Sequence, residues 1–322
     1  MSLIEVRNLS KFCSDGFGID NVSFVIEEKG VYCFFERSGS GKSLLASVLG
    51  GMSDADSGAV LYKEKDMLAS ERQAAAIKRK IGFVCAPEWF DGDMTVRETL
   101  DFTGMVKGVD PDKRARQIKE ALTLVGIESK SDMLVQNLTR TEKKRMSYAN
   151  ALIGNPDTII IDEPFSASES SLTEDTKRLI DMLGKMKVVL VFAKKPEHLE
   201  ALCNYVGIIS RGKLLAFEPI DQMYERLNQT ALGLLRLKEN KASREQILSN
   251  IRSLNGVCSV KPGAVSGSIT DYILELTQRE GFASLIKEKL APLGVDVVSF
   301  KLTSCGISNV LDALSEDDTK EA

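Results

Sequence analysis

The stretch from Gly30 to Gly51, GVYCFFERSGSGKSLLASVLGG, constrains this chain more than any other. Val31 to Phe35 is a short apolar run and reads as a buried strand. A Gly/Ser-rich loop follows (Ser38, Gly39, Ser40, Gly41), then Lys42 and Ser43, then a helical pattern in Leu44, Leu45, Val48 and Leu49. Glycines let the backbone curl until several N–H groups point at one anion. A helix N-terminus adds about half a positive charge at the same spot. Lys42 is then placed to reach the β- and γ-phosphates of a nucleotide, and the Ser43 hydroxyl to hold Mg²⁺. The pattern G-x-x-x-x-G-K-[ST] is incomplete, because Glu36 stands where its first glycine belongs. The competing interpretation is a Gly/Ser turn with a chance Gly-Lys-Ser.

A phosphate-binding loop needs a metal partner and a group that activates water. Thr158, Ile159, Ile160 and Ile161 form a strongly β-forming run that ends in Asp162, Glu163 and Pro164. A buried strand ending there directs two carboxylates to one place. Asp162 would bind Mg²⁺ through water, and Glu163 would polarise the attacking water. A positioned general base contributes about 10²- to 10⁴-fold in rate. The bland alternative is a buried strand that ends in a solvated acidic turn.

Composition excludes several classes. Lys+Arg number 42 against 46 Asp+Glu, a net charge of −4, which leaves no global footprint for nucleic acid. The six cysteines are scattered, without a C-x-x-C pair, and fit buried or free thiols better than a disulfide framework or a zinc site. Met1 to Ser10 shows no signal-peptide pattern, and no run approaches the roughly 20 apolar residues of a membrane span. A protein of this kind acting at a membrane takes its spans from another chain.

Along the chain, residues 3–7 and 21–27 alternate as half-buried strands do. Phe12 and Phe17 fall between them; either suits stacking on a purine, and either suits anchoring a loop. Strands are also predicted over 59–62, 81–84, 158–161 and 188–192, with a hairpin around Arg211-Gly212. Helices are predicted over 71–79, from Thr95 (a capping box with Glu98), from Asp112 to Gly126, over 138–153 and over 172–186. Alternation of strands and helices predicts an α/β sandwich with a mainly parallel sheet, interrupted by a helical insert near 87–153. Past residue 230 the order strand-helix-strand-strand-helix-strand predicts a small α+β, ferredoxin-like plait. The expected division is a first domain over 1–225, an accessory domain over 230–315 and a polar tail over 316–322.

The order of these pieces resembles an export-type ATP-binding cassette (ABC) ATPase, the motor subunit of a membrane transporter. The resemblance covers about residues 1 to 220, on SGSGKS (38–43), IGFV (81–84), DMTVRETLDF (93–102), LTRTEKKR (138–145), IIIDEP (159–164) and SRGKLLAFE (210–218). The ending GISNVLDAL (306–314) is similar to the close of the extra C-terminal domain of bacterial export-type cassettes. It implies a P-loop nucleotide-binding domain that takes ATP and Mg²⁺. The implied partners are transmembrane permease subunits and, as homo- or heterodimer, a second cassette. The implied location is cytoplasmic, on the inner face of the cell membrane.

Departures from the family are equally specific. The signature Leu-Ser-Gly-Gly-Gln/Glu is Leu138-Thr139-Arg140-Thr141-Glu142 here. The glutamine expected after IGFV aligns with Ala86, the switch histidine with Lys194, and the adenine-stacking aromatic with Cys13, with Phe12 beside it. Glu169 replaces the usual aspartate after the acidic strand. Groups that hold phosphate and metal within the chain remain (Lys42, Ser43, Asp162, Glu163), while those acting across a dimer are altered. The resemblance thus implies ATP binding with slow hydrolysis, or an ATP-binding regulatory or scaffold protein with little turnover.

Overall fold

The computed structural model describes residues 2–14, 16–36, 41–85, 90–165, 170–229, 231–238, 244–266, 269–277, 282–303 and 307. Ser38, Gly39, Ser40, Ala86 and Glu169 lie outside the described residues, as does all but Ile307 of the ending GISNVLDAL (306–314). The chain divides into two compact units, Met1–Ile220 and Asp221–Ala313.

The first unit opens with strands β1 (Ile4–Phe12), β2 (Gly18–Ile26) and β3 (Gly30–Phe35), followed by helix α1 (Lys42–Leu49). Strands β4 (Ser57–Tyr62) and β5 (Lys65–Asp66), helix α2 (Glu71–Lys78) and strand β6 (Ile81–Val84) come next. Three helices then form the insert: α3 (Val96–Val106), α4 (Pro111–Val125) and α5 (Arg140–Leu152). The chain returns through β7 (Thr158–Asp162), α6 (Ser170–Gly184), β8 (Val188–Ala193), β9 (Tyr205–Ser210) and β10 (Lys213–Pro219). Helix α7 (Ile220–Gln229) leads into the second unit.

The central sheet has the order β10-β9-β3-β8-β7-β6, parallel throughout except for the β9/β10 hairpin. Strands β3 and β8 are buried at every position, which is why their sequences are unbroken apolar runs rather than alternating ones. Phe34 stacks on Phe192 at 4.9 Å between centroids and on Phe217 at 5.7 Å, so aromatic rings tie the middle of the sheet to its hairpin edge. A second, antiparallel sheet, β2-β1-β4-β5, goes beyond the expected strands. Strand β1 runs five residues past Arg7 and carries Phe12 at its end, so Phe12 is a strand residue rather than a loop one.

Local signals in the insert hold. Thr95 and Glu98 form the capping box of α3, Asp110 caps α4, and Gly126 ends α4 in the left-handed conformation. Gly82 lets α5 approach the sheet closely, because a Cβ there would fall 2.2 Å from the Ala151 carbonyl oxygen. The Lys107 ammonium, just past α3, donates to the carbonyls of Ile81 at 3.1 Å and Ile153 at 2.9 Å, fastening the insert to the start of β6.

The cysteine expectation needs a correction. Cys33 on β3 and Cys203 before β9 are joined by a disulfide across 170 residues of sequence. The parallel pairing of β3 with β9 brings them together, and no local spacing signals that. Cys13, Cys85 and Cys258 are free.

In the second unit, β11 (Ala231–Lys238), α8 (Arg244–Arg252), β12 (Val257–Ser266), β13 (Ile269–Leu276), α9 (Phe282–Leu290) and β14 (Asp296–Thr303) follow the expected strand and helix order. Their antiparallel sheet has the order β12-β13-β11-β14. Ile247 and Ile251 of α8 and Phe282, Ile286 and Leu290 of α9 join Tyr272 and Leu274 in one apolar cluster.

Burial draws the Lys107 ammonium down from its ordinary 10.5 to about 8. Below pH 8 both folded and unfolded chains hold the proton, and the folded state carries the desolvation cost. Between pH 8 and 10.5 the unfolded chain holds more protons, so folding stability rises with pH. Denaturant unfolding of the wild type against Lys107→Met tests this. The wild type gains stability relative to the variant as pH rises from 8 to 10.5, whereas a pH-independent difference contradicts it.

Candidate functional site

Parallel strands end together, and at this sheet they end on charge. The register pairs Phe35 with Ala193 and Asp162 with Phe192, so the residues just past β3, β7 and β8 share one edge. Those residues are Glu36, Glu163 and Lys194. Ligands of open α/β sheets bind outside the carboxyl ends of the strands, which is this edge.

Lys42, the first residue of α1, reaches into it. Its side chain is only 4% exposed, and its Nζ lies 2.6 Å from Glu163 Oε1 and 3.7 Å from Asp162 Oδ1. The two halves of the site named from sequence, 121 residues apart, therefore meet in one ion-pair cluster. The Asp162 side chain is 8% exposed and its Oδ1 accepts no hydrogen bond. A buried carboxylate oxygen left without a donor is costly unless a cation or bound water completes it. Such an oxygen, with the exposed Ser43 hydroxyl in the first turn of α1, makes a hard-oxygen donor set that fits Mg²⁺.

Glu163 is held in an unusual state. Its φ is +50°, in the left-handed region that non-glycine residues rarely adopt. Its N–H donates to the Phe192 carbonyl at 2.8 Å, and its own carbonyl accepts from Lys144 Nζ at 3.2 Å. Backbone strain of this kind persists only where neighbours over-determine the conformation. Lys144 is a buried residue of α5, and its ammonium also lies 5.9 Å from the centre of the Tyr148 ring. The sequence shows it only as one of the cations in the stretch LTRTEKKR (138–145). Its helical spacing from Tyr148 was the one available sign that it faces inward.

The altered signature lies at the start of α5. Thr139 is its N-cap: its Oγ1 accepts the Glu142 N–H at 3.2 Å, and Glu142 Oε2 accepts the Thr139 N–H at 2.9 Å. Lys130 adds an ion pair to Glu142 at 3.1 Å. Lys194 is exposed just past β8. Phe12 is 49% exposed, with its N–H on Asp56 Oδ2 at 2.8 Å. Gly41 precedes α1 as its N-cap and makes no side-chain cap.

The sheet of the first unit, with its helical insert, has the α/β fold of P-loop domains. Residues 19–166 match the ABC transporter family. A bacitracin transport ATP-binding protein of Bacillus licheniformis is 27% identical over 243 residues, 75% of this chain and 77% of its own length. A Nod factor export ATP-binding protein of Burkholderia lata is 27% identical, over 66% of this chain and 69% of its own. A methionine import ATP-binding protein of Bacillus cereus is also 27% identical, over 78% and 76%. Among solved structures, cbiO1 from Clostridium perfringens, part of an ABC transporter complex, gives a TM-score of 0.61 at 20% identity, covering 70% of this chain and 91% of that one. A dimeric ATP-binding cassette holding ADP and Pi gives 0.61 at 21% identity, over 67% and 98%. Residues 19–166 thus carry a match to an ABC transporter domain, and these relatives, similar to the chain over about two thirds of its length or more, are ATP-binding proteins of transport systems.

Removing one partner of a buried ion cluster leaves uncompensated charge, a loss of roughly 3–5 kcal/mol. Lys42→Met strands Asp162 and, in part, Glu163, and is expected to lower unfolding stability by about that amount. Adding Asp162→Asn and Glu163→Gln to it should recover much of the loss. Urea unfolding of the three proteins checks this, and equal stability of wild type and Lys42→Met contradicts the cluster.

Proposed function

We propose that this chain is the ATP-hydrolysing subunit of a bacterial ABC exporter, working beneath separate membrane-spanning subunits. The observation that carries the reading is the convergence of Lys42, Asp162 and Glu163, with Asp162 Oδ1 lacking a hydrogen-bond donor. Lys42 changes partners on binding, from Glu163 to the β- and γ-phosphates. Ser43 and Asp162 would hold Mg²⁺, which when bound would supply positive charge against the phosphate oxygens. Glu163, released from Lys42, orients the attacking water and takes its proton. Lys144 keeps the Glu163 carbonyl in place, and Ser38, Gly39, Ser40 and Gly41 supply backbone N–H groups. Phe12 is the candidate platform for adenine.

Partner chains are part of the proposal. No helix among the described residues is long and apolar enough to cross a membrane. Helix α3 exposes Phe102, Met105 and Val106 on an otherwise polar element, an apolar stripe suited to docking on a permease subunit at the inner membrane face. The second cassette of the dimer is another copy or a related chain. The export direction rests on the C-terminal ending and on relatives such as the Nod factor exporter, while other relatives are importers.

Slow turnover follows from the start of α5. Arg140 and Thr141 place side chains where the family signature has glycines, and the Thr139–Glu142 box already occupies first-turn N–H groups. The same observation favours a second reading, an ATP-binding regulatory subunit with little turnover. Mg-ATP turnover by the full chain with its membrane partner separates the two. A working motor loses about 10²- to 10⁴-fold in Glu163→Gln with ATP still bound. Equal, near-zero rates in both proteins with ATP bound support the regulatory reading.

A further inference from the structure

Glu36 directly follows β3, at the position where the phosphate-loop pattern has glycine. Its side chain does not turn out to solvent: the residue is 2% exposed. Oε2 accepts the backbone N–H of Lys42 at 3.1 Å. That N–H belongs to the first residue of α1, whose N-cap is a glycine without a side chain to satisfy it. The carboxylate therefore caps α1 from outside the helix, at the end where its dipole favours negative charge. The Lys42 ammonium, 2.6 Å from Glu163, is meanwhile occupied by a second carboxylate. Both anion-binding groups that Lys42 offers, amide and ammonium, are thus held by the protein's own acids.

We propose that Glu36 is a built-in competitor for the nucleotide's phosphates, an internal anion that must leave the start of α1 before a phosphate accepts the same N–H. The proposal rests on the nucleotide-binding reading above. It explains why a carboxylate is stable at this position: in the nucleotide-free chain it has a donor and a favourable dipole. It also assigns the residue a role in specificity. A ligand has to bring enough phosphate charge, with its cation, to displace Glu36, so a polyphosphate succeeds where a monophosphate does not. Like charges left side by side oppose binding strongly. Glycine at this position removes both the charge and the cap.

The test is equilibrium binding of ATP, AMP and adenosine, each with Mg²⁺, to the full-length wild type, Glu36→Gln and Glu36→Gly. Glutamine keeps an oxygen able to accept the Lys42 N–H, so it removes charge with little change of shape. Both variants should bind ATP about tenfold or more tightly than the wild type. AMP should gain relative to ATP, and adenosine, which brings no phosphate, should bind all three proteins alike. Thermal unfolding of the variants shows that they are folded. ATP binding of equal strength in all three proteins overturns the role of Glu36 while leaving the nucleotide site intact. Failure of all three to bind ATP, with folding preserved, overturns the nucleotide reading and this inference with it. A gain for adenosine as large as that for ATP also overturns it, because relief of charge cannot act on an uncharged ligand.

Discussion

An ammonium cannot be buried without counter-charge, and the first unit is arranged around meeting that demand at Lys42. The carboxylates that meet it stand at the end of a strand about 120 residues further on, and only a parallel sheet of fixed register brings them there. Strands β3, β8 and β7 lie side by side with every residue buried, so none can slip without moving apolar side chains out of the core. The packing of the sheet therefore sets the distance between Lys42 and the acidic pair. The left-handed backbone at Glu163 and the Lys144 contact to its carbonyl then set where the second carboxylate points.

The same cluster makes the site responsive. Lys42 faces Glu163, so in the proposed function a phosphate that draws Lys42 away also frees the proposed base. Because Lys144 comes from α5 of the insert and Glu163 from the sheet, the insert holds the backbone of the proposed base directly. Lys107 fastens the same insert to β6.

Much of this was legible in the sequence where the signal is local. Strand β6 matches its expected bounds, and the Thr95–Glu98 box and the Gly126 stop follow from side chains within a turn of each other. The apolar runs of β3, β7 and β8 announced a doubly covered sheet; Lys42 was named from the glycine loop before a helix, and Asp162 and Glu163 from the end of a strand. What was missed depends on distant partners. The antiparallel sheet extends β1 to Phe12 because β2 and β4 pair with it, not because residues 8–12 alternate. The Cys33–Cys203 bond joins residues that only the β3/β9 pairing makes neighbours. Lys144 looked like any first-turn lysine until the fold placed Glu163 against it. Glu36 was visible as a broken motif, but whether its carboxylate faced in or out depended on the buried start of α1.

The most direct measurement is an experimental structure of the full chain with Mg²⁺ and a non-hydrolysable ATP analogue. The account predicts phosphate at the start of α1, Lys42 Nζ moved from Glu163 onto it, and the cation beside Ser43 and Asp162. A structure at saturating analogue that keeps the Lys42–Glu163 pair, with no nucleotide at that edge of the sheet, would contradict it.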